Sequence, residues 1–183
     1  MGALLILVIA VVVVLLWAIM RYNGLVTLRN QVTNGWKQID VQLKRRHDLI
    51  PNLVETVKGY AAHERGTFEA VTAARANAIN AQGPEAQAQA ENVLTGALKS
   101  LFAVAEAYPD LKANQNFLNL QEELTSAEDR IAYARQFFND SVLSYNTQIQ
   151  KFPTVLIAGM FHFEKRDYFD AASEDTEPVQ VQF

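Results

Sequence analysis

The densest chemistry in the chain lies in one short run, Lys44-Arg45-Arg46-His47-Asp48. Consecutive cations beside a histidine are the residue types that hold a phosphate, an anionic lipid or an acidic partner, because such groups make charge-assisted hydrogen bonds to anionic oxygens. Lys44, Arg45 and Arg46 are therefore the candidate anion or partner contacts. The run also has an architectural use. Basic residues near a helix C-terminus complement its dipole, and the arginines can pair with the carboxylates that crowd the later sequence around Glu122, Glu123 and Glu128.

Other reactive constellations are weaker. A di-iron site in a helix bundle needs Glu-x-x-His on two helices, and none of His47, His63 and His162 stands three residues after a glutamate. His63-Glu64 does not extend to a His-Glu-x-x-His zinc motif. There is no cysteine, which removes disulfides, thiolate metal sites and thiol nucleophiles together. Asp40, Asp48 and Glu55 could serve a hydrolase, but carboxylates without a defined cleft are slender grounds for acid–base catalysis. Asn116, Gln121, Glu122, Glu123, Glu128, Arg130 and Arg135 read as a solvated or inter-helix ionic network. Gly24, Gly35, Gly59, Gly66 and Gly96 form no phosphate loop, although Gly35 and Gly59 suit close helix approach. No catalytic residue, cofactor or metal is expected. With 16 Lys+Arg against 20 Asp+Glu, a net charge of −4, the chain lacks the basic footprint of a nucleic-acid binder.

What must position these residues begins at the N-terminus. Residues 1–20 (MGALLILVIAVVVVLLWAIM) carry no charged side chain. At helical rise, about twenty apolar residues span the roughly 30 Å hydrocarbon core of a bilayer. A cleaved signal would show a basic n-region and a small-residue cleavage site. Trp17-Ala18-Ile19-Met20 lacks the latter and nothing basic precedes the run, so it reads as a retained anchor, with Trp17 and Tyr22 at the level of an interfacial aromatic belt. Arg21, Arg29 and Lys37 all follow the span, and basic residues favour the cytoplasmic side. The expected topology is N-terminus out, body in. On a straight helix the Lys44–Arg46 run would lie about 35 Å beyond Arg21, several Debye lengths from the surface. That disfavours lipid as its ligand and favours the architectural use.

Beyond Arg21 the apolar residues keep helical spacing. One seam runs through Leu25, Leu28, Val32, Trp36, Ile39 and Leu43. A second takes Leu53, Val54, Val57, Ala61, Phe68, Val71 and Ala78, and a third Val93, Leu94, Ala97, Leu98, Leu101, Val104 and Ala105. The fourth, Phe117 to Phe138 and on through Val142, Tyr145, Ile149 and Phe152, is a coiled-coil-like heptad run with one stutter. Gln82-Gly83-Pro84 pairs a helix stop with a start, and Tyr108-Pro109-Asp110 breaks the third helix. A helix merely bent at Pro51 would continue about 57 residues past the membrane, near 85 Å, longer than its partners could cover. A reversal at Pro51 is therefore expected.

The expected parts are a transmembrane anchor (1–21), a helical bundle (22–152; helices about 22–47, 51–81, 85–107 and 114–151), an apolar C-terminal segment (153–169) and an acidic tail (170–183). The fold class is all-α: a transmembrane helix followed by an antiparallel up-and-down four-helix bundle. Four alternating helices return the chain to the bilayer surface after Phe152. The apolar segment there is too short to span. Val155, Leu156, Ile157, Met160 and Phe161 are thus candidates to close the bundle's end, to meet the membrane or to meet another subunit.

Three stretches together carry a family resemblance: Tyr22 to Asn30, Trp36-Lys37-Gln38-Ile39-Asp40 through Ile50-Pro51-Asn52-Leu53 to Tyr60, and Tyr108-Pro109-Asp110-Leu111-Lys112-Ala113-Asn114 with Phe117 to Leu124. With Tyr145-Asn146 and Phe152-Pro153 they closely resemble the LemA family of bacterial membrane proteins. The resemblance implies a single transmembrane helix in the inner membrane and a four-helix body, with no family catalytic residues. Members look like membrane-associated accessory or scaffold proteins; relatives help build magnetosome membranes, and family genes often neighbour membrane peptidases. Three functions are open on the residues: a non-enzymatic scaffold or adaptor acting by self-association or by binding another membrane protein such as a peptidase; a tethered module sensing an anionic ligand through Lys44, Arg45 and Arg46; and, weakest, a hydrolase using Asp40, Asp48 or Glu55. The partners expected are the lipid bilayer and further copies of the chain, with no nucleic acid.

Overall fold

The computed structural model describes residues 1–169; the acidic tail expected at 170–183 lies outside the described residues. Every regular element among them is helical: α1 (Gly2–Lys58), α2 (Arg65–Asn80), α3 (Pro84–Glu106), the single turn α4 (Pro109–Lys112), α5 (Gln115–Gln150) and α6 (Thr154–Met160). The fold is all-α, headed by a long apolar helix.

The reversal expected at Pro51 does not occur. Pro51 lies inside α1, which runs on to Lys58. Proline removes the N–H that would bond the carbonyl four residues back, which here is that of His47. The Arg75 Nε of α2 donates to this His47 carbonyl oxygen at 2.7 Å, so the orphaned acceptor is satisfied from another helix. The chain turns instead at Gly59–Glu64, where Tyr60 and Ala61 both donate backbone N–H groups to the Val57 carbonyl. The second expected helix (51–81) is thus divided between the end of α1 and α2. The other stops fall where the sequence puts them. Gly83 adopts φ 86° and Pro84 opens α3. Asn114 caps α5, its Oδ1 accepting from the backbone N–H groups of Asn116 and Phe117.

Among the described residues two compact units are present: Met1–Lys37 with Gln136–Asp167, and Gln38–Arg135 with Tyr168 and Phe169. In the first, residues 1–16 are all exposed, whereas Leu25 and Val32 are buried. That is the pattern of a helix whose first part is solvated by lipid. Further along, a Cβ added at Gly35 would stand 3.2 Å from the Phe138 Cα, so α1 and α5 approach backbone to backbone there. Trp36 packs its ring 5.6 Å from that of Phe138. Val142, Tyr145 and Ile149 continue the buried face of α5. Phe152, expected to extend that seam, is 82% exposed, because α5 ends at Gln150 and the helical period ends with it. α6 buries Thr154, Ile157 and Ala158. Asn146 then clasps the irregular stretch that follows, accepting from the Arg166 N–H and donating to the Arg166 carbonyl.

The second unit is a core of Ile50, Leu53, Val57, Phe68, Val71, Leu94, Leu98, Leu101, Leu111, Phe117 and Leu124, drawn from α1, α2, α3, α4 and α5. Val93, assigned to the third seam, is 62% exposed; the buried stripe of α3 is Leu94, Leu98, Leu101 and Ala105, and the residue before Leu94 is rotated about 100° away from it. Gly59 is no close-approach glycine either. A Cβ there meets only carbonyls of its own preceding turn.

Candidate functional site

In the second unit the densest polar cluster is internal. Arg46 and His47 occupy the register of the α1 seam, three and four residues after Leu43 and just before Ile50, so both point inward and both are buried. Opposite them α3 presents Gln87, Glu91 and Thr95 at successive four-residue steps, one stripe of the helix. Glu91 has no solvent exposure. Its Oε2 accepts from Arg46 Nη1 at 3.1 Å, and its Oε1 lies 2.7 Å from His47 Nε2 and 3.0 Å from Gln87 Nε2. Arg46 Nη2 donates to Thr95 Oγ1 at 2.8 Å and to Glu128 Oε1 of α5 at 3.0 Å. Gln87 donates also to the Ala78 carbonyl at the end of α2. One arginine and one glutamate thus tie together α1, α3 and α5.

Arg135 completes the charge balance. Its guanidinium stacks 4.5 Å over the ring of Phe169. Burial lowers its pKa from the ordinary arginine value; Glu91 and Glu128 oppose that, and Arg46 adds to it. Arg46 and Glu91 are thus interior, Arg135 is partly buried beside them, and the Glu128 carboxylate stands half-exposed at the rim. Burying an ion pair costs desolvation that good geometry and further hydrogen bonds offset; here both Glu91 oxygens and both terminal nitrogens of Arg46 are bonded, while the Arg46 Nε has no hydrogen-bond partner among the described residues.

A groove of about 330 Å³ lies against the cluster, lined by Asp40, Leu43, Lys44, His47, Asp48, Ala78, Ile79 and Gln87. Burial raises the Asp40 carboxyl pKa above the usual aspartate value. The lining offers carboxylates, an ammonium and an imidazole already engaged by Glu91, and no hydroxyl or thiol nucleophile. Among the described residues no group of three His, Cys, Asp or Glu side chains could hold a metal ion.

The candidate residues of the Lys44–Arg46 run part company here. Lys44 is exposed on the groove, Arg45 is half-exposed 4.0 Å from Glu123, and Arg46 is inside. The arginine pairs expected with α5 carboxylates are present at Glu123 and Glu128, but they divide the run between surface and core. Glu55, grouped with Asp40 and Asp48, instead accepts from Lys58 one turn away on the surface of α1. Sequence reasoning passed over Gln87, Glu91 and Thr95. The usable signal was register: Glu91 falls three residues before Leu94 on the apolar stripe, as Arg46 and His47 fall on that of α1.

The same residues that set these registers lie in a stretch with known relatives. The LemA family profile matches residues 35–183. The chain belongs to the LemA family. Among its relatives, the magnetosome protein MamQ 2 of Paramagnetospirillum magneticum is 27% identical over 94% of this chain and 73% of its own length. MamQ of Magnetospirillum gryphiswaldense is 27% identical over 88% of this chain and 69% of its own. Protein LemA of Metamycoplasma hominis is 28% identical over 83% and 68%. Membership agrees with the architecture of α1: this LemA-family chain is a membrane-associated protein whose N-terminal helix is long and apolar enough to cross a bilayer.

Proposed function

We propose that this LemA-family protein is a non-enzymatic, membrane-anchored scaffold or adaptor that acts through its helical body, by self-association or by binding another membrane protein. The observation that carries the reading is the closure of the Arg46–Glu91 cluster. The residues with the most chemical potential are bonded to one another across α1, α3 and α5, an arrangement that fixes helix register rather than one that awaits a substrate. The MamQ relatives are named as magnetosome proteins, a designation of place and not of reaction. The anchor faces its body to the cytoplasm in this reading, with Arg21, Arg29 and Lys37 on that side. An anion sensor built on Lys44, Arg45 and Arg46 is disfavoured because the Arg46 guanidinium is committed to Glu91, Thr95 and Glu128.

The test is the mass and composition of the full-length protein extracted in mild detergent. A homo-oligomer without a stoichiometric partner supports a self-assembling scaffold, and a reproducible stoichiometric complex with a second membrane protein supports an adaptor. A monomer that brings nothing with it, under extraction conditions that preserve known membrane complexes, overturns the proposal.

A further inference from the structure

Within the first unit, α6 is placed beside the membrane-facing end of α1. The Phe161 ring, directly after α6, packs 4.8 Å from that of Tyr22, and Phe163 packs 5.8 Å from the same tyrosine. Phe163 also receives the Arg29 guanidinium over its face at 5.3 Å. A groove between these elements is lined by Met20, Arg21, Gly24 and Leu28 from α1 and by Gln148 and Thr154 from the other side. Asn146 holds the chain at Arg166. The position of α6 along α1 is thereby determined.

The bilayer fixes the other coordinate. The uncharged run of α1 ends at Met20, and Trp17, Arg21 and Tyr22 are the residue types that settle at the headgroup level. Arg21 lies over the Trp17 ring at 5.8 Å. Tyr22 stands two residues past Met20, about 3 Å along the helix axis. Whatever packs on Tyr22 therefore sits at the interface too.

α6 is amphipathic in a way that uses this position. Thr154, Ile157 and Ala158 are buried against the protein. Ile157, grouped with its neighbours as a candidate outer contact, is thus an inner one, because it falls three residues after Thr154 on the packed face. The opposite face carries Leu156 at 63% and Met160 at 71% exposure, with Val155 and Phe161 also exposed. Such large apolar groups side by side at a water-facing surface would be unpartnered. The exposed side chains around them are mixed in charge: Lys151, Lys165 and Arg166 against Glu164 and Asp167.

We propose that the outer face of α6 and the turn after it, formed by Val155, Leu156, Met160 and Phe161, lies in the headgroup–acyl boundary of the same bilayer that α1 crosses. The protein then has two membrane contacts of different kinds: one helix through the bilayer and one short helix on it. Surface-lying apolar faces typically sink about 5–10 Å into that boundary, and the contact with Tyr22 holds Phe161 beside it. The consequence is orientational. A single span leaves its body free to swing, whereas a second contact fixes the tilt and rotation of α1 and α5 over the membrane. This inference goes beyond scaffolding and does not depend on the identity of any partner.

The absence of native cysteine makes the test direct. Single-cysteine variants Leu156→Cys and Met160→Cys, both at exposed positions, are labelled with an environment-sensitive fluorophore. The full chain is reconstituted at one copy per nanodisc of phosphatidylcholine and phosphatidylglycerol. Val11→Cys serves as the bilayer reference and Asn30→Cys, about 15 Å further along α1 from Met20, as the water reference. The expected result is emission shifted to the blue at both α6 positions, with strong quenching by lipids carrying a nitroxide near the headgroup and weak quenching by iodide. Iodide quenching equal to that at Asn30→Cys overturns the proposal. Shielding that arises only when nanodiscs hold two copies also overturns it, and assigns the face to a subunit contact instead.

Discussion

Glu91 and Arg46 each hold three side-chain partners, and removing either should be correspondingly costly. Truncating one member of a buried ion pair leaves the other charged and unpaired, a loss of about 3–5 kcal/mol. Glu91→Ala and Arg46→Ala should each destabilise on that scale in denaturant unfolding. Arg45→Ala, which breaks a half-exposed contact of 4.0 Å to Glu123, should cost under about 1 kcal/mol. Equal effects at positions 45 and 46 would contradict the division of the run between surface and core. Tyr145 gives a prediction in pH. It is buried, and burial raises its pKa above the ordinary 10.0, with Arg166 and Arg29 pulling down and Glu164 pushing up. The folded state therefore holds the phenolic proton more tightly than the unfolded chain does. That stability is fully present below pH 10 and is lost as pH rises through the folded pKa. Tyr145→Phe should remove this part of the alkaline decline, read as the difference between variant and parent unfolding energies from neutral to alkaline pH. What sequence showed of the cluster was half of it. The adjacent Arg46 and His47 were conspicuous as charge, but their partners Gln87, Glu91 and Thr95 are scattered polar residues whose meaning depends on which stripe of α3 faces inward.

At the scale of elements, the helices were legible because apolar residues recur at steps of three and four wherever a face is buried. The boundaries marked by glycine and proline together, such as Gly83-Pro84, were legible too. Pro51 was not, since a proline's effect on a helix depends on whether the freed carbonyl finds another donor, and that donor, Arg75, is supplied by a different helix. This coupling can be measured. Arg75→Ala leaves the His47 carbonyl without a partner and should cost about 1–3 kcal/mol, the range for a buried group left unsatisfied. In a Pro51→Ala background the restored N–H can bond the same carbonyl, so the cost of Arg75→Ala should fall markedly. A double-mutant cycle with no coupling energy would refute the compensation. Gly35 offers a second test, confined to the contact of α1 with α5. Its missing side chain admits the Phe138 backbone at a distance where a Cβ is already tight. Gly35→Leu should cost about 1–3 kcal/mol by overpacking, while the same change at Gly24, which has open space around its Cα, should be far milder.

For the molecule as a whole, the membrane segment is the feature that composition alone made plain, since twenty apolar residues without a charge have few other uses. Its direction rests on a different physical argument. Nothing before Met20 carries a basic side chain, while Arg21, Arg29 and Lys37 follow it, and moving basic residues near a span to the outer face is opposed during insertion. The body should therefore remain in the cytoplasm and Gly2 should emerge on the far side. The cysteine-free background allows a clean measurement in bacterial spheroplasts expressing the full chain. Gly2→Cys should react with a membrane-impermeant maleimide in intact spheroplasts, whereas Asn30→Cys should react only after lysis. The reverse pattern would place the body outside and remove every cytoplasmic partner from consideration. Reaction at both positions before lysis would mean that α1 does not span at all, and the exposed apolar surface of residues 2–16 would then require a protein partner in place of lipid.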